Sequence, residues 1–291
     1  MNTFEQYRPL LFGIAYRMLG SAMEAEDMVQ ETYLRYEAVP PERIAAPKAF
    51  LCTVITRLCL DHLKSARAQR ETYVGPWLPE PLLTEHADYA TPATQMHEWE
   101  SLSTAFLVLL ENLSPLERAV FLLREIFDYE YGEIAQMIGR EESACRQLFS
   151  RAKKHIVAQR PRFESTPEAH REMMGRFLAA TQSGDLNSLM SLLAEDVSSW
   201  ADGGGKSQAA TRPVYGRERV ARYLVGLASR RTPDITVDVA EVNGRSAVLL
   251  RREGKVFSVI MLVVAQGQIQ QIHTVVNPEK LAYLNDQPAS D

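Results

Sequence analysis

The stretch Tyr131–Ser150, YGEIAQMIGREESACRQLFS, decides how the rest of the chain is read. Its spacing predicts two short helices crossing at a tight turn. Ala135 is small enough for a second helix to pass close by. Gly139 falls where the turn needs a positive φ. Ile134, Ile138, Cys145 and Leu148 sit where the two helices must bury a shared face. The second helix then turns Arg146, Gln147, Ser150, Arg151 and Lys154 outward, with Lys153 beside them. A helix pair that served only as core would explain the apolar positions but not this donor-rich face. Such side chains suit base edges and phosphates in a major groove.

The formal net charge of the 291 residues is −5, which taken globally argues against a nucleic-acid binder. The distribution argues otherwise. Residues 140–160 carry six basic side chains (Arg140, Arg146, Arg151, Lys153, Lys154, Arg160) against Glu141 and Glu142, a local balance of +4. An acidic total disfavours indiscriminate coating of nucleic acid and favours binding that needs a partner or a particular site. No stretch is apolar enough to span a bilayer, and the N-terminus shows no signal-peptide cleavage pattern, so a cytoplasmic protein without membrane contact is expected. Cys52, Cys59 and Cys145 lack the neighbours a zinc set needs and read as reduced apolar fillers; neither a metal nor a cofactor is expected.

Four stretches differ in character. Residues 1–72 are helical in pattern, with breaks at Gly20-Ser21 and Pro40-Pro41 and a long helix from about Lys48 to Arg70. Residues 73–95 form a linker holding Pro76, Pro79, Pro81 and Pro92; within it lies Trp77–Pro81, WLPEP, readable either as a docking anchor or as a stiff spacer with one buried Trp. Residues 96–161 are helical again from Met96, with a helix start at Ser114-Pro115 followed by Glu117. Residues 166–291 change class. Helices are expected over 171–182, 185–193 and 217–230. Strands follow over 235–242, 246–252, 255–265 and 268–276, joined by turns at Asn243-Gly244, Glu253-Gly254 and Gln266-Gly267. This is an α+β domain on a curved antiparallel sheet.

The first 160 residues resemble the extracytoplasmic-function (ECF) group of bacterial RNA polymerase sigma factors. The resemblance rests on Ala25–Arg35, AEDMVQETYLR, on the helix after Pro47, and on the helix-turn-helix, with no third region between. The C-terminal part resembles the SnoaL-like cone found in the SigJ-type members of that group. Its marks are WLPEP, the loop Asp202–Lys206 (DGGGK) and Asn277–Leu281 (NPEKL), where Glu279 replaces the usual aspartate. The implied fold is multidomain: two all-α sigma modules, regions 2 and 4, then the α+β cone.

The resemblance implies a protein that directs core polymerase to promoters and is not an enzyme. Glu26, Asp27, Gln30 and Glu31 would meet the clamp helices of the largest polymerase subunit. Arg57, Asp61, Lys64, Arg67 and Arg70 would meet the −10 element. Arg146, Gln147, Ser150, Arg151, Lys153 and Lys154 would read the −35 element. Trp77, Pro79, Asp202, Gly203, Gly204, Gly205, Lys206, Asn277, Pro278, Glu279, Lys280 and Leu281 would form a regulatory contact of the cone. RNA polymerase core and promoter DNA are the implied partners, and a small ligand of the cone's cavity is left open. Asp202 before three glycines reads as a loop end. Together with Asp196, Tyr215 and His273 it is a candidate for acid–base chemistry if the cone were catalytic. Two other readings remain open at this stage: a ligand-sensing helix-turn-helix regulator that needs no polymerase, and an isomerase or cyclase with a DNA-binding appendage.

Overall fold

A computed structural model describes residues 3–70, 73–84, 101–159 and 166–287, the side chains of 66–70 and 159 excepted. Pro92, the helix start at Met96, Arg160 and the side chains of Arg67 and Arg70 lie outside the described residues. Two compact units result: residues 1–72 with 86–160, and residues 73–85 with 161–291. The WLPEP stretch therefore folds with the C-terminal unit. Among the described residues no helix is long and apolar enough to cross a membrane.

The first unit is all helical. It comprises α1 (Thr3–Leu19), α2 (Ala22–Glu37), α3 (Pro47–Arg70), α4 (Thr104–Leu110), α5 (Pro115–Glu125), α6 (Tyr131–Ile138) and α7 (Glu142–Gln159). Local chemistry sets these boundaries. The Ser21 hydroxyl accepts from the Glu24 amide and starts α2. Ser114 and Glu117 form a reciprocal capping box at α5, with Pro115 in its first turn. Leu11, Ile14, Met18, Leu51, Ile55 and Cys59 are fully buried and fuse α1 to α3. The three cysteines are free and buried, and burial is the main cause raising the thiol pKa of each.

The second unit begins with α8 (Pro167–Ser183) and α9 (Leu186–Leu192). Strand β1 (Leu193–Asp202), β2 (Val214–Tyr215) and α10 (Arg217–Ala228) follow. Then come β3 (Ile235–Val242), β4 (Arg245–Arg252), β5 (Lys255–Ala265), β6 (Gln268–Val275) and the short α11 (Ala282–Asp286). The six-stranded sheet runs β2-β1-β6-β5-β4-β3. At all three hairpins both central residues have positive φ, the signature of type I′ turns. Met174, Phe177, Leu189, Val220, Leu224 and Ile272 form the core between helices and sheet.

Two expectations need correction. β1 and β2 are absent from the expected strands, and the helix expected to run to Leu193 ends at Leu192. The sheet is also mixed, because β1 lies parallel to β6. β1 does not alternate cleanly: Val197, Ser198 and Ser199 are all buried, since β1 is an interior strand between β2 and β6.

Candidate functional site

The helix-turn-helix forms as its sequence requires. Gly139 ends α6 in the left-handed conformation at φ 65°, and its amide bonds Ala135 O. Ile134, Met137, Cys145, Ala152 and Ile156 are buried, whereas Ile138 and Leu148 are only half-buried. Met137 thus takes the inner position expected of Ile138. Arg146, Gln147, Ser150, Arg151, Lys153 and Lys154 all lie on the exposed side of α7. Arg146 pairs with Glu142 and stands 4.4 Å from the Tyr131 ring centroid, which holds its guanidinium in one place. Lys153 is engaged at 3.2 Å by Glu125. Gln147, Ser150, Arg151 and Lys154 make no side-chain hydrogen bond or ion pair among the described residues.

Along α2, Asp27 and Gln30 are exposed, Glu26 is bonded to Arg8 at 2.6 Å, and Glu31 to Arg35 at 2.8 Å. Leu34, 62 % exposed, extends the Asp27–Gln30 stripe by one turn. On α3, Asp61 and Lys64 are exposed and paired with each other at 2.7 Å. Arg57 is employed differently. Its Nε donates to Met137 O at 2.8 Å and its NH2 to Gln136 O at 3.0 Å. These are last-turn carbonyls of α6, which have no partner within the helix. Arg57 therefore caps the first helix of the helix-turn-helix.

Two more arginines join the helical modules. Buried Arg118 on α5 donates to Met18 O at 2.6 Å and to Glu111 at 2.8 Å, and burial lowers its pKa to about 10. Buried Arg17 donates to Ser101 Oγ at 3.1 Å. Tyr129 OH adds a bond to Cys52 Sγ at 3.1 Å.

In the second unit, the three short motifs meet at one buried carboxylate. Asp202 ends β1 with no exposed surface. Its Oδ1 accepts from Tyr73 OH at 2.5 Å. Its Oδ2 accepts from the Leu78 amide at 2.8 Å and from Lys280 Nζ at 2.7 Å. Lys280 also donates to Leu78 O and stands 4.1 Å from the Trp77 ring centroid and 4.9 Å from that of Tyr73. Asn277 Nδ2 donates to Tyr73 OH at 2.9 Å, and the Asn277 amide to Asp202 O at 3.0 Å. Burial first, then the bond to Asp202, pushes the Tyr73 phenol well above its ordinary pKa.

The glycines of the loop serve close approach. A Cβ on Gly204 would lie 2.3 Å from Asn277 Nδ2 and 2.9 Å from Tyr73 OH, and one on Gly203 would lie 2.7 Å from Ser207 O. Gly205 lies beside Val74. Lys206 pairs with Glu279 at the exposed rim of the loop.

Farther along the linker, Leu78, Pro79 and Leu82 are buried. Leu82 and Asn243 exchange two bonds, and Thr84 N donates to Glu241 O at 3.0 Å, so the linker pairs with the β3 end like an added strand.

Residues 3–69 match the family model described as Sigma-70 region 2, and residues 103–156 match Sigma-70, region 4. The ECF RNA polymerase sigma factor SigJ of Mycobacterium tuberculosis is 38 % identical over 290 residues, 96 % of this chain and 92 % of the relative. The chain belongs to the ECF RNA polymerase sigma factors. The probable sigma factor SigI of the same organism is 34 % identical over 94 % of this chain and 92 % of its own length. The crystal structure of the M. tuberculosis SigJ superposes with a TM-score of 0.75 at 35 % identity, covering 95 % of this chain and 96 % of that one.

As a sigma factor, the protein directs RNA polymerase to promoters through its region 2 and region 4 modules, and the SigJ-like C-terminal domain follows in the same chain. Of the residues considered for acid–base chemistry, Asp202 stands at the loop end as expected, but it is fully buried and spent in the linker contact. Asp196 and Tyr215 are exposed. His273 is buried, with its pKa lowered to about 4 by desolvation.

Sequence reading missed the capping role of Arg57 and the ties made by Arg17 and Arg118. An arginine at a core position of an apolar helix was the available signal, as in Ile14–Leu19 (IAYRML) and Glu117–Leu123 (ERAVFLL).

Proposed function

We propose that the clasp around Asp202 is the control element of this sigma factor. It fixes the start of the region 2–region 4 connection to the C-terminal domain. Freedom of that connection sets how readily the two modules reach polymerase and promoter together. The observation carrying this reading is the convergence of Tyr73, Trp77, Asp202, Asn277 and Lys280 on a single buried ion pair.

The same reading assigns polymerase docking to the α2 face of Glu26, Asp27, Gln30 and Glu31, directed at the clamp helices of the largest subunit. Exposed Leu34 beside these polar groups supports it, since an apolar contact adds affinity where charges set orientation. The outward face of α7 reads the −35 element. Asp61 and Lys64, with the sequence positions Arg67 and Arg70, serve the −10 element. Arg57 joins them only after leaving the α6 carbonyls. The working compartment is the cytoplasm, where polymerase acts.

The C-terminal domain acts as a regulator and not as an enzyme. Among the described residues, those lining its cavity include no Asp, Glu, His, Lys or Cys to serve as a base. Transcription by core polymerase with the wild-type chain and with Asp202→Ala tests the control role. A changed yield at an unchanged start site is expected. Equal yields from two equally folded proteins would reject it.

A further inference from the structure

The C-terminal unit holds a cavity of about 280 Å³ between α8, α10 and one face of the sheet. Its walls are mainly apolar and include Phe177, Leu224, Val248, Leu250 and Ile260. The volume is near the lower end of the roughly 300–1,000 Å³ usual for small-molecule sites.

Besides Thr181, whose hydroxyl donates to Phe177 O, three hydroxyl side chains line this space: Tyr223, Ser258 and Thr274. None makes a side-chain hydrogen bond among the described residues, although Ser258 is only 3 % exposed. The pairing of β4 with β5 explains its position. Leu250 faces Ser258 and Arg251 faces Val256, so Phe257 is an extra residue in a bulge. The bulge brings Phe257 and Ser258 to the same cavity, where regular alternation would send them to opposite faces. Ser258 is buried and Tyr223 and Thr274 are half-buried, so these hydroxyls offer hydrogen-bonding positions to a ligand or to ordered water.

The rim is cationic. Arg230 and Arg231 follow the end of α10 and line the cavity beside Leu227, which is 48 % exposed. Neither arginine forms an ion pair among the described residues. Asp234, the carboxylate nearest in sequence, is held by Arg252 at 2.8 Å. Among the described residues the lining contains no acidic side chain to neutralise the pair. A guanidinium fork matches the two oxygens of a carboxylate.

We propose that this cavity binds a small apolar monocarboxylate. Its hydrocarbon part lies against Phe177, Leu224, Val248 and Ile260, and its carboxylate meets Arg230 and Arg231. Binding requires neither polymerase nor any role of the clasp, so it stands or falls separately from the proposed regulation. Occupancy nonetheless has a route to the clasp: Ala201, Gln208 and Ala209 line the cavity, and the chain between them holds Asp202 and the three glycines.

Titration calorimetry on the full-length chain, with decanoate and with decan-1-ol as probes, tests the assignment. Decanoate is expected to saturate one site and to bind more tightly than decan-1-ol. Arg230→Ala combined with Arg231→Ala should weaken decanoate at least tenfold and leave decan-1-ol unchanged. Leu227→Trp, which crowds the mouth from an exposed position, should weaken both probes while the melting temperature stays that of the wild type. Absence of saturable decanoate binding, a preference for decan-1-ol, or equal decanoate affinity in the double-arginine variant would each overturn the proposal.

Discussion

Lys280 Nζ lies 2.7 Å from Asp202 Oδ2 and 4.1 Å from the centroid of the Trp77 ring. One ammonium thus joins the end of β1, the turn after β6 and the linker. Its surroundings are almost closed to solvent, so the pair is sensitive to losing either member. Removing one partner of a buried pair leaves an uncompensated charge and costs about 3–5 kcal/mol. Lys280→Met should lower the stability of the C-terminal unit by about 3 kcal/mol. The double change Lys280→Met with Asp202→Asn should recover part of that loss. Urea titrations of the wild type and the two variants measure it, and an undiminished midpoint for Lys280→Met would contradict the buried pair.

Gly204 tests the close approach of loop and linker without touching a charge. An alanine Cβ would meet Asn277 Nδ2 at 2.3 Å, and the residue has φ +57°. Gly204→Ala should therefore free the linker. Amide exchange at Leu78 and Leu82 should quicken at least tenfold, while the β5–β6 amides keep their protection. Unaltered exchange at Leu78 would show that the loop accommodates the methyl group.

Arg57 makes a prediction within the helical unit. It satisfies the carbonyls of Gln136 and Met137, each bond being charge-assisted. Arg57→Ala should destabilise this unit by about 1–2 kcal/mol and speed amide exchange at the end of α6. Arg57→Lys should restore only part, because an ammonium lacks the fork that spans both carbonyls. Full rescue by lysine would mean that charge alone matters.

His273 gives the C-terminal unit an acid-sensitive stability. Its folded pKa is depressed to about 4, against an ordinary value of 6.5, because burial disfavours the charged ring. The unfolded chain binds the proton more readily. The stabilisation is therefore complete above pH 6.5 and is lost as pH falls toward 4. Between pH 7 and pH 5 the loss attributable to this residue is about 2 kcal/mol. Denaturant midpoints at both pH values, compared between wild type and His273→Gln, check it. The glutamine variant should show the smaller decline, and an equal decline would assign the effect elsewhere.

Much of this architecture was legible from local rules. Gly139, the Ser114–Glu117 capping box and the three Xaa-Gly hairpins each name their own geometry, because one short segment supplies all the chemistry involved. β1 was not legible, since its partner strand β6 lies some seventy residues away and an interior strand need not alternate. Asp202 shows the limit most clearly. Its neighbours suggested a loose loop, whereas its three ligating groups come from Tyr73, Leu78 and Lys280, far off in sequence. The exposed residues of α7 were legible because an outward face needs no tertiary partner. Arg57 was assigned to the −10 element through the family resemblance, and only the fold shows that the α6 carbonyls occupy it.

Promoter reading by α7 is the point at which the whole account meets experiment. Purified chain is combined with core RNA polymerase, and promoter-specific run-off RNA is measured for wild type and for Arg146→Ala across a panel of −35 variants. The account predicts RNA from a defined start with the wild-type chain. For Arg146→Ala it predicts discrimination reduced by about 1–3 kcal/mol at one base pair, with polymerase binding intact. Failure of the wild-type chain to start specific RNA synthesis, or unchanged base preference in the variant, would contradict it.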